Sequence, residues 1–176
     1  TANGTKGFSA GGDVAGVVRE VRAGGDHRFE YGDLFFEVEY TLDRLIHTYP
    51  KPFITHAFGI CMGGGVGLSV HGHCRFVTEQ TLLAMPETGI GLFPDVGGSH
   101  FLPRCPGAIG MYLALTGARL DGAECKEVGI ATHYLQSDVL EEAKQRISEK
   151  PDRIEGILGQ LSGTIPEARI TKNLDK

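Results

Sequence analysis

No segment of the chain approaches the ~18 consecutive apolar residues that a membrane-spanning helix needs, and no stretch gathers a block of lysines and arginines. With 17 Lys and Arg against 22 Asp and Glu, the net charge is −5, so neither a nucleic-acid surface nor an anionic-membrane surface is expected. The four cysteines, Cys61, Cys74, Cys105 and Cys125, show no C-x-x-C spacing and lie in segments of buried character. They read as free thiols in a reducing compartment, not as zinc ligands. Internal repeats are absent, as are the G-K-[ST] ending of a phosphate loop and the G-x-G-x-x-G dinucleotide fingerprint. The start, Thr1-Ala2-Asn3-Gly4-Thr5-Lys6-Gly7, carries neither an apolar leader run nor an initiating Met, and the expectation is a chain that begins inside a longer protein.

Glycine is what the chain has in excess: 26 of 176 residues is about twice the usual share. Glycine is needed where backbone turns tightly or comes close to something, so its placement carries information. At 41% hydrophobic and 22% charged, a chain of this length is read as one domain whose core can be purely apolar, without a disulfide or metal. Residues 7 to 13, GFSAGGD, read as a glycine turn ending on the N-cap Asp13. A short helix follows, with Val14, Val17, Val18 and Val21 on one face, and stops at Gly24-Gly25. A longer helix from about Arg28 to Tyr49 places Phe35, Val38, Leu42, Leu45, Ile46 and Tyr49 on its expected buried side and is halted by Pro50-Lys51-Pro52.

Pro52 to Gly59 reads as a strand, and Gly63-Gly64-Gly65 leads from it into a helix through Val66, Leu68 and Val70. Two β-prone runs follow, Cys74 to Thr78 and Thr81 to Met85, and then a Gly/Pro-rich functional loop, Pro86 to Gly98. Helices are expected from about Ser99, over Gly107 to Leu115, after the Asp121/Glu124 capping box, and over about Asp138 to Ser148, with a short strand at Ala131 to Leu135. This alternation implies an α/β layered fold, followed from Pro151 to Lys176 by a mixed helical tail.

The glycine triplet either packs close against a strand or presents backbone N–H groups to an anion or a developing oxyanion. Gly11-Gly12, ahead of Asp13, is a second such turn, and two turns can supply a pair of donors. Glu87 and Asp95 lie in the apolar stretch MPETGIGLFPD, where desolvation raises a carboxyl pKa; they read either as an acid–base pair or as a solvated loop residue and a turn cap. Glu39 sits roughly 40° from Phe35 and about 20° from Ile46 on the helix wheel, at the edge of the apolar arc. It is either an edge residue reaching solvent or a carboxylate with a task. The run Gly67-Leu68-Ser69-Val70-His71 misses G-x-S-x-G at its last position and lies within a helix, against a serine nucleophile. Cys61 is either a buried thiol or one whose pKa the nearby helix start lowers, and His71-Gly72-His73 lacks a third metal ligand.

Taken together, FSAGGD, a strand ending in GICMGGGVGLS, and AMPETGIGLFPDVGGSHFLPR resemble the crotonase (enoyl-CoA hydratase/isomerase) superfamily, and most closely its 3-hydroxyisobutyryl-CoA hydrolase branch. The resemblance spans roughly residues 4 to 147. It implies the crotonase-like β-β-α spiral, with residues 1–150 as a partial catalytic core lacking the family's N-terminal strands and 151–176 as the start of a C-terminal helical region. It implies hydrolysis of an acyl-CoA thioester in mitochondrial valine breakdown, with the Gly12 and Gly64 N–H groups as oxyanion hole. Glu87 acts on the thioester directly or through water, Asp95 assists proton transfer, and Glu39 binds the acyl hydroxyl. Hydratases carry a glutamate two residues after the glycine triplet, where this chain has Gly67. No metal or redox cofactor is implied, coenzyme A being part of the substrate, and a homo-oligomer is among the expected assemblies. The alternatives are a hydratase/isomerase activity or an acyl-CoA-binding relative without turnover.

Overall fold

The computed structural model describes Gly4 and residues 6–173; the readings of the first residues and of the last three lie largely outside that range. Residues Gly7–Ser9 form a strand, β1, so the glycine turn begins after it rather than at Gly7. Asp13 then caps helix α1 (Val14–Ala23), its carboxylate accepting the Gly16 N–H at 2.9 Å. Helix α2 (Glu30–His47) follows.

The strand expected at Pro52 to Gly59 is β2 (Ile54–Ala57), and a strand not foreseen, β3 (Ile60–Met62), follows it and belongs to the other sheet. Gly59, at φ 53°, redirects the chain between them without interrupting the apolar run, so hydrophobic pattern alone does not show the break. Beyond them come α3 (Gly64–Val70), β4 (Cys74–Val77), β5 (Leu82–Ala84), α4 (Gly98–Phe101), α5 (Ile109–Thr116), β6 (Leu120–Asp121), α6 (Gly122–Glu127), β7 (His133–Tyr134), α7 (Leu140–Glu149) and α8 (Ile154–Leu161). One sheet runs β1-β3-β5-β6, with β6 antiparallel to β5 and the other pairs parallel; the second runs β2-β4-β7, all parallel. Each turn of the chain thus lays one strand in each sheet before a helix, β2-β3-α3 and then β4-β5 with the helices after them. The two-residue β6 escaped the sequence reading because so short a strand shows no alternation.

Cys61, Val66, Leu83, Leu113, Leu120 and Tyr134 belong to the main core, and a second cluster joins Cys74, Phe76, Leu135, Ala143, Ile154 and Leu158. All four cysteines are free and buried, as the sequence suggested. The Asp121 capping box is present in both directions: Asp121 Oδ1 accepts the Glu124 N–H at 2.8 Å, and Glu124 Oε2 accepts the Asp121 N–H at 3.0 Å. Asp121→Ala is expected to cost about 1 kcal/mol, read as a lower midpoint in urea denaturation.

Helix α2 departs from expectation in a way that shapes the site. Much of its expected buried side is on the surface: Val38 is 59% exposed, Leu45 53%, Tyr49 42% and Leu42 40%. Of that side only Ile46 is buried and Phe35 half-buried, as expected; the buried face is rotated by roughly a quarter turn and adds Gly32, Asp43 and half-buried Glu39. Periodicity shows where apolar residues line up, not which face of a helix meets its neighbour.

Candidate active site

The rotation of α2 is explained by what lies opposite it. A β-carbon at Gly64 would land on the Glu39 carboxylate, and one at Gly67 would lie 2.9 and 3.0 Å from the two Asp43 oxygens. Two glycines one turn apart on α3 therefore make room for two carboxylates one turn apart on α2. The same glycine-bearing helix start meets the Gly11-Gly12 turn, where the β-carbon position of Gly11 is 3.3 Å from the Gly64 nitrogen. Among the described residues, the N–H groups of Gly12 and Gly64 donate to no protein acceptor. Two backbone donors are thus left free side by side.

Glu87 opens the 3-10 turn after β5, 5% exposed, with Oε2 buried and unpartnered. Its other oxygen lies 3.0 Å from where a Gly63 β-carbon would stand. Burial pushes its carboxyl up from 4.5 to about 6, aided by the charges of Asp95 and Glu39. Burial, and next the Asp95 charge, also raise Glu39. Asp95 accepts a hydrogen bond from the Tyr40 hydroxyl at 2.8 Å, which ties its loop to α2. The next residue, Val96, is held at φ 39°, a left-handed conformation disfavoured for a β-branched side chain, while its carbonyl meets His71 Nε2 at 2.8 Å and its side chain is buried. The His71 contact and the burial of the side chain hold Val96 in that conformation, next to Asp95 in the chain.

Gly12, Glu39, Gly64, Glu87 and Asp95 all line one cavity of about 260 Å³, floored by Phe35 and Phe36. The structure therefore gathers the five residues to which the resemblance gave site roles at one cavity. The alternatives fare differently. Ser69 is 3% exposed and donates to the Val66 carbonyl inside α3, which removes it as an exposed nucleophile. Cys61 is not activated by the helix start: burial pushes its thiol up to about 11. His71 is committed to the Val96 carbonyl, and His73 Nδ1 stands 3.3 Å from the Phe53 nitrogen as its acceptor. Two residues went unread in the sequence, Tyr40 and Asp43. Their signal was the spacing Glu39 to Asp43, matched by Gly64 to Gly67, which places both carboxylates on one face of α2.

A model of enoyl-CoA hydratase/isomerase domains matches residues 1–175. The chain belongs to the enoyl-CoA hydratase/isomerase family. A mitochondrial 3-hydroxyisobutyryl-CoA hydrolase of Danio rerio is 54% identical over 138 residues, 78% of this chain and 35% of that protein. The small ribosomal subunit protein mS47 of Neurospora crassa is 47% identical over 169 residues, 94% of this chain and 33% of that protein. The crystal structure of a carnitinyl-CoA dehydratase from Mycobacterium thermoresistibile superposes with a TM-score of 0.88 at 38% identity, covering 99% of this chain and 50% of the other. The chain thus spans about a third of the length of the curated relatives it matches. The family's crotonase fold is the one described above, present here as part of a domain.

Proposed function

We propose that this family member is an acyl-CoA thioester hydrolase that cleaves 3-hydroxyisobutyryl-CoA to 3-hydroxyisobutyrate and coenzyme A. The observation that carries this reading is the single cavity in which two free backbone donors, Gly12 and Gly64, meet a buried carboxylate, Glu87, whose pKa is near working pH. The thioester carbonyl oxygen sits between the two N–H groups. Ionised Glu87 takes a proton from water as the water oxygen attacks the carbonyl carbon, or attacks that carbon itself; both routes give a tetrahedral oxyanion held by the same two donors. The C–S bond breaks as the carbonyl reforms. On the water route protonated Glu87 returns its proton to the departing thiolate. On the direct route collapse leaves an acyl–Glu87 anhydride that water then cleaves, releasing the acid, freeing the Glu87 carboxylate and supplying the proton the thiolate takes up. Asp95, fixed by Tyr40, orients water or the substrate hydroxyl, and Glu39 accepts the acyl hydroxyl.

Supporting this choice of branch, position 67 is glycine and its side-chain volume is taken by Asp43, so α3 offers no carboxylate of its own there. The reading treats residues 1–150 as catalytic core, 151–176 as the start of a helical region, coenzyme A as part of the substrate, and no metal or redox group as participant. The mitochondrial name of the hydrolase relatives supports a place in mitochondrial valine catabolism. A second reading, a non-catalytic role in an assembly, is favoured by the ribosomal relative alone.

Thiol release from 3-hydroxyisobutyryl-CoA by the full-length protein, run beside hydration of crotonyl-CoA, separates the readings. Release with little hydration is expected; hydration without release would move the protein to the hydratase branch, and tight binding with neither reaction would favour the non-catalytic role. Because Glu87 must be ionised, the rate should rise as pH passes through about 6, a limb visible in the pH profile of kcat/KM.

A further inference from the structure

Asp43 is 6% exposed, and neither of its carboxyl oxygens has a hydrogen-bond partner among the described residues. A buried carboxylate left without donors is too costly to persist as an ion. The groups around it make ionisation harder: Glu39 lies one turn before it on α2, and Asp95 approaches from the loop after β5. On its third side are Gly67, which offers no side chain, and the buried Val96. Behind it a cavity of about 310 Å³ opens toward Tyr40, Arg44, His47, His71 and His100, while its neighbours Glu39 and Asp95 line the acyl cavity.

We propose that Asp43 is a positioning residue of this site, a carboxyl that carries a proton and holds the Glu39 and Asp95 carboxylates in place from behind. The proposal rests on the hydrolase reading and deepens it. With a proton, Asp43 gains a hydroxyl donor beside two carboxylates whose charges act on it, and donating to either one would end its lack of a partner and give that carboxylate a fixed neighbour. Burial, then the charges of Glu39 and Asp95, raise it from 3.8 to about 7, so it is protonated over the range in which Glu87, at about 6, becomes ionised. The site then works between two titrations: Glu87 must lose its proton and Asp43 must keep its own.

The test uses the full-length protein with Asp43→Asn, which keeps a neutral donor, and Asp43→Ala, which keeps none. Wild type is expected to show kcat/KM falling again above about pH 7, Asp43→Asn to lose that alkaline fall while staying within about threefold of wild type near neutrality, and Asp43→Ala to lose tenfold or more in kcat. Infrared difference spectra, wild type minus Asp43→Asn, provide a readout independent of turnover: the carbonyl band of a protonated carboxyl is expected below pH 7 and should vanish above it. Absence of that band, an alkaline limb unchanged in Asp43→Asn, or a fully active Asp43→Ala would each overturn the proposal. A band without any thiol release by the wild type would instead remove the hydrolase reading, and the positioning role with it.

Discussion

Glu87→Gln is expected to reduce thiol release by about 10²–10⁴, the span usually lost with a positioned general base, while leaving the protein folded and more stable. Glutamine has nearly the shape of glutamate, so the cavity and its two N–H donors remain. What disappears is the buried carboxylate of the acyl cavity whose pKa, about 6, lets it take a proton near neutrality. The stability change follows from the same burial. The folded carboxyl titrates at about 6 against 4.5 for an exposed glutamate, so the native state holds the proton more tightly than the unfolded one. Ionising Glu87 therefore costs stability as pH rises from about 4.5 to about 6, and the cost is constant above that. At about 1.4 kcal/mol per unit, glutamine should raise stability by about 2 kcal/mol at pH 7 and by little at pH 4. Loss of turnover with a raised melting temperature at pH 7 is the paired signature, measured by thiol release and thermal denaturation of one preparation. A variant that lost both activity and stability would mean that Glu87 supports the fold rather than the chemistry.

Gly64→Ala is expected to have an effect of similar size by a different route. Its new methyl would occupy the space of the Glu39 carboxylate, so that carboxylate must swing aside within the cavity it shares with the Gly12 and Gly64 donors, where it obstructs them. Losing one donor of an oxyanion hole typically costs about 10²–10³ in kcat. The account also predicts non-additivity: in Gly64→Ala/Glu39→Ala the obstructing carboxylate is gone, and part of the kcat lost to Gly64→Ala alone should return. Residues in direct contact are where such coupling is expected. Equal kcat losses with and without Glu39 would place the defect elsewhere.

Much of this site was legible in the sequence because it is built from residues with few other reasons to be where they are. A glycine triplet after a strand, a second glycine pair ahead of an N-cap, and carboxylates within an apolar Gly/Pro-rich stretch each restrict the chemistry before any contact is known. Helix ends were legible for a similar reason, since Asp13, Asp121 with Glu124, and Pro50 to Pro52 act locally. The face of α2 was not. Val38, Leu42 and Leu45 of its expected stripe obey the helical period yet stay exposed, while Asp43 is buried because Gly67 leaves it room. Which of two faces packs is a tertiary question, decided here by glycines more than twenty residues away in sequence. The break at Gly59, which sends β2 and β3 into separate sheets, is hidden likewise, because pairing partners are remote and the apolar run is continuous.

The proposed hydrolase site requires two backbone N–H groups and Glu87 to meet the same carbonyl. A crystal structure of the full-length protein with the analogue of 3-hydroxyisobutyryl-CoA in which carbon replaces the thioester sulfur tests it most directly, since that ketone keeps the carbonyl and resists hydrolysis. The account predicts the carbonyl oxygen about 2.7–3.1 Å from the nitrogens of both Gly12 and Gly64, with the Glu87 carboxylate facing the carbonyl carbon and the acyl hydroxyl at Glu39. A carbonyl oxygen bound away from either glycine, or an acyl group seated outside this cavity, would contradict it.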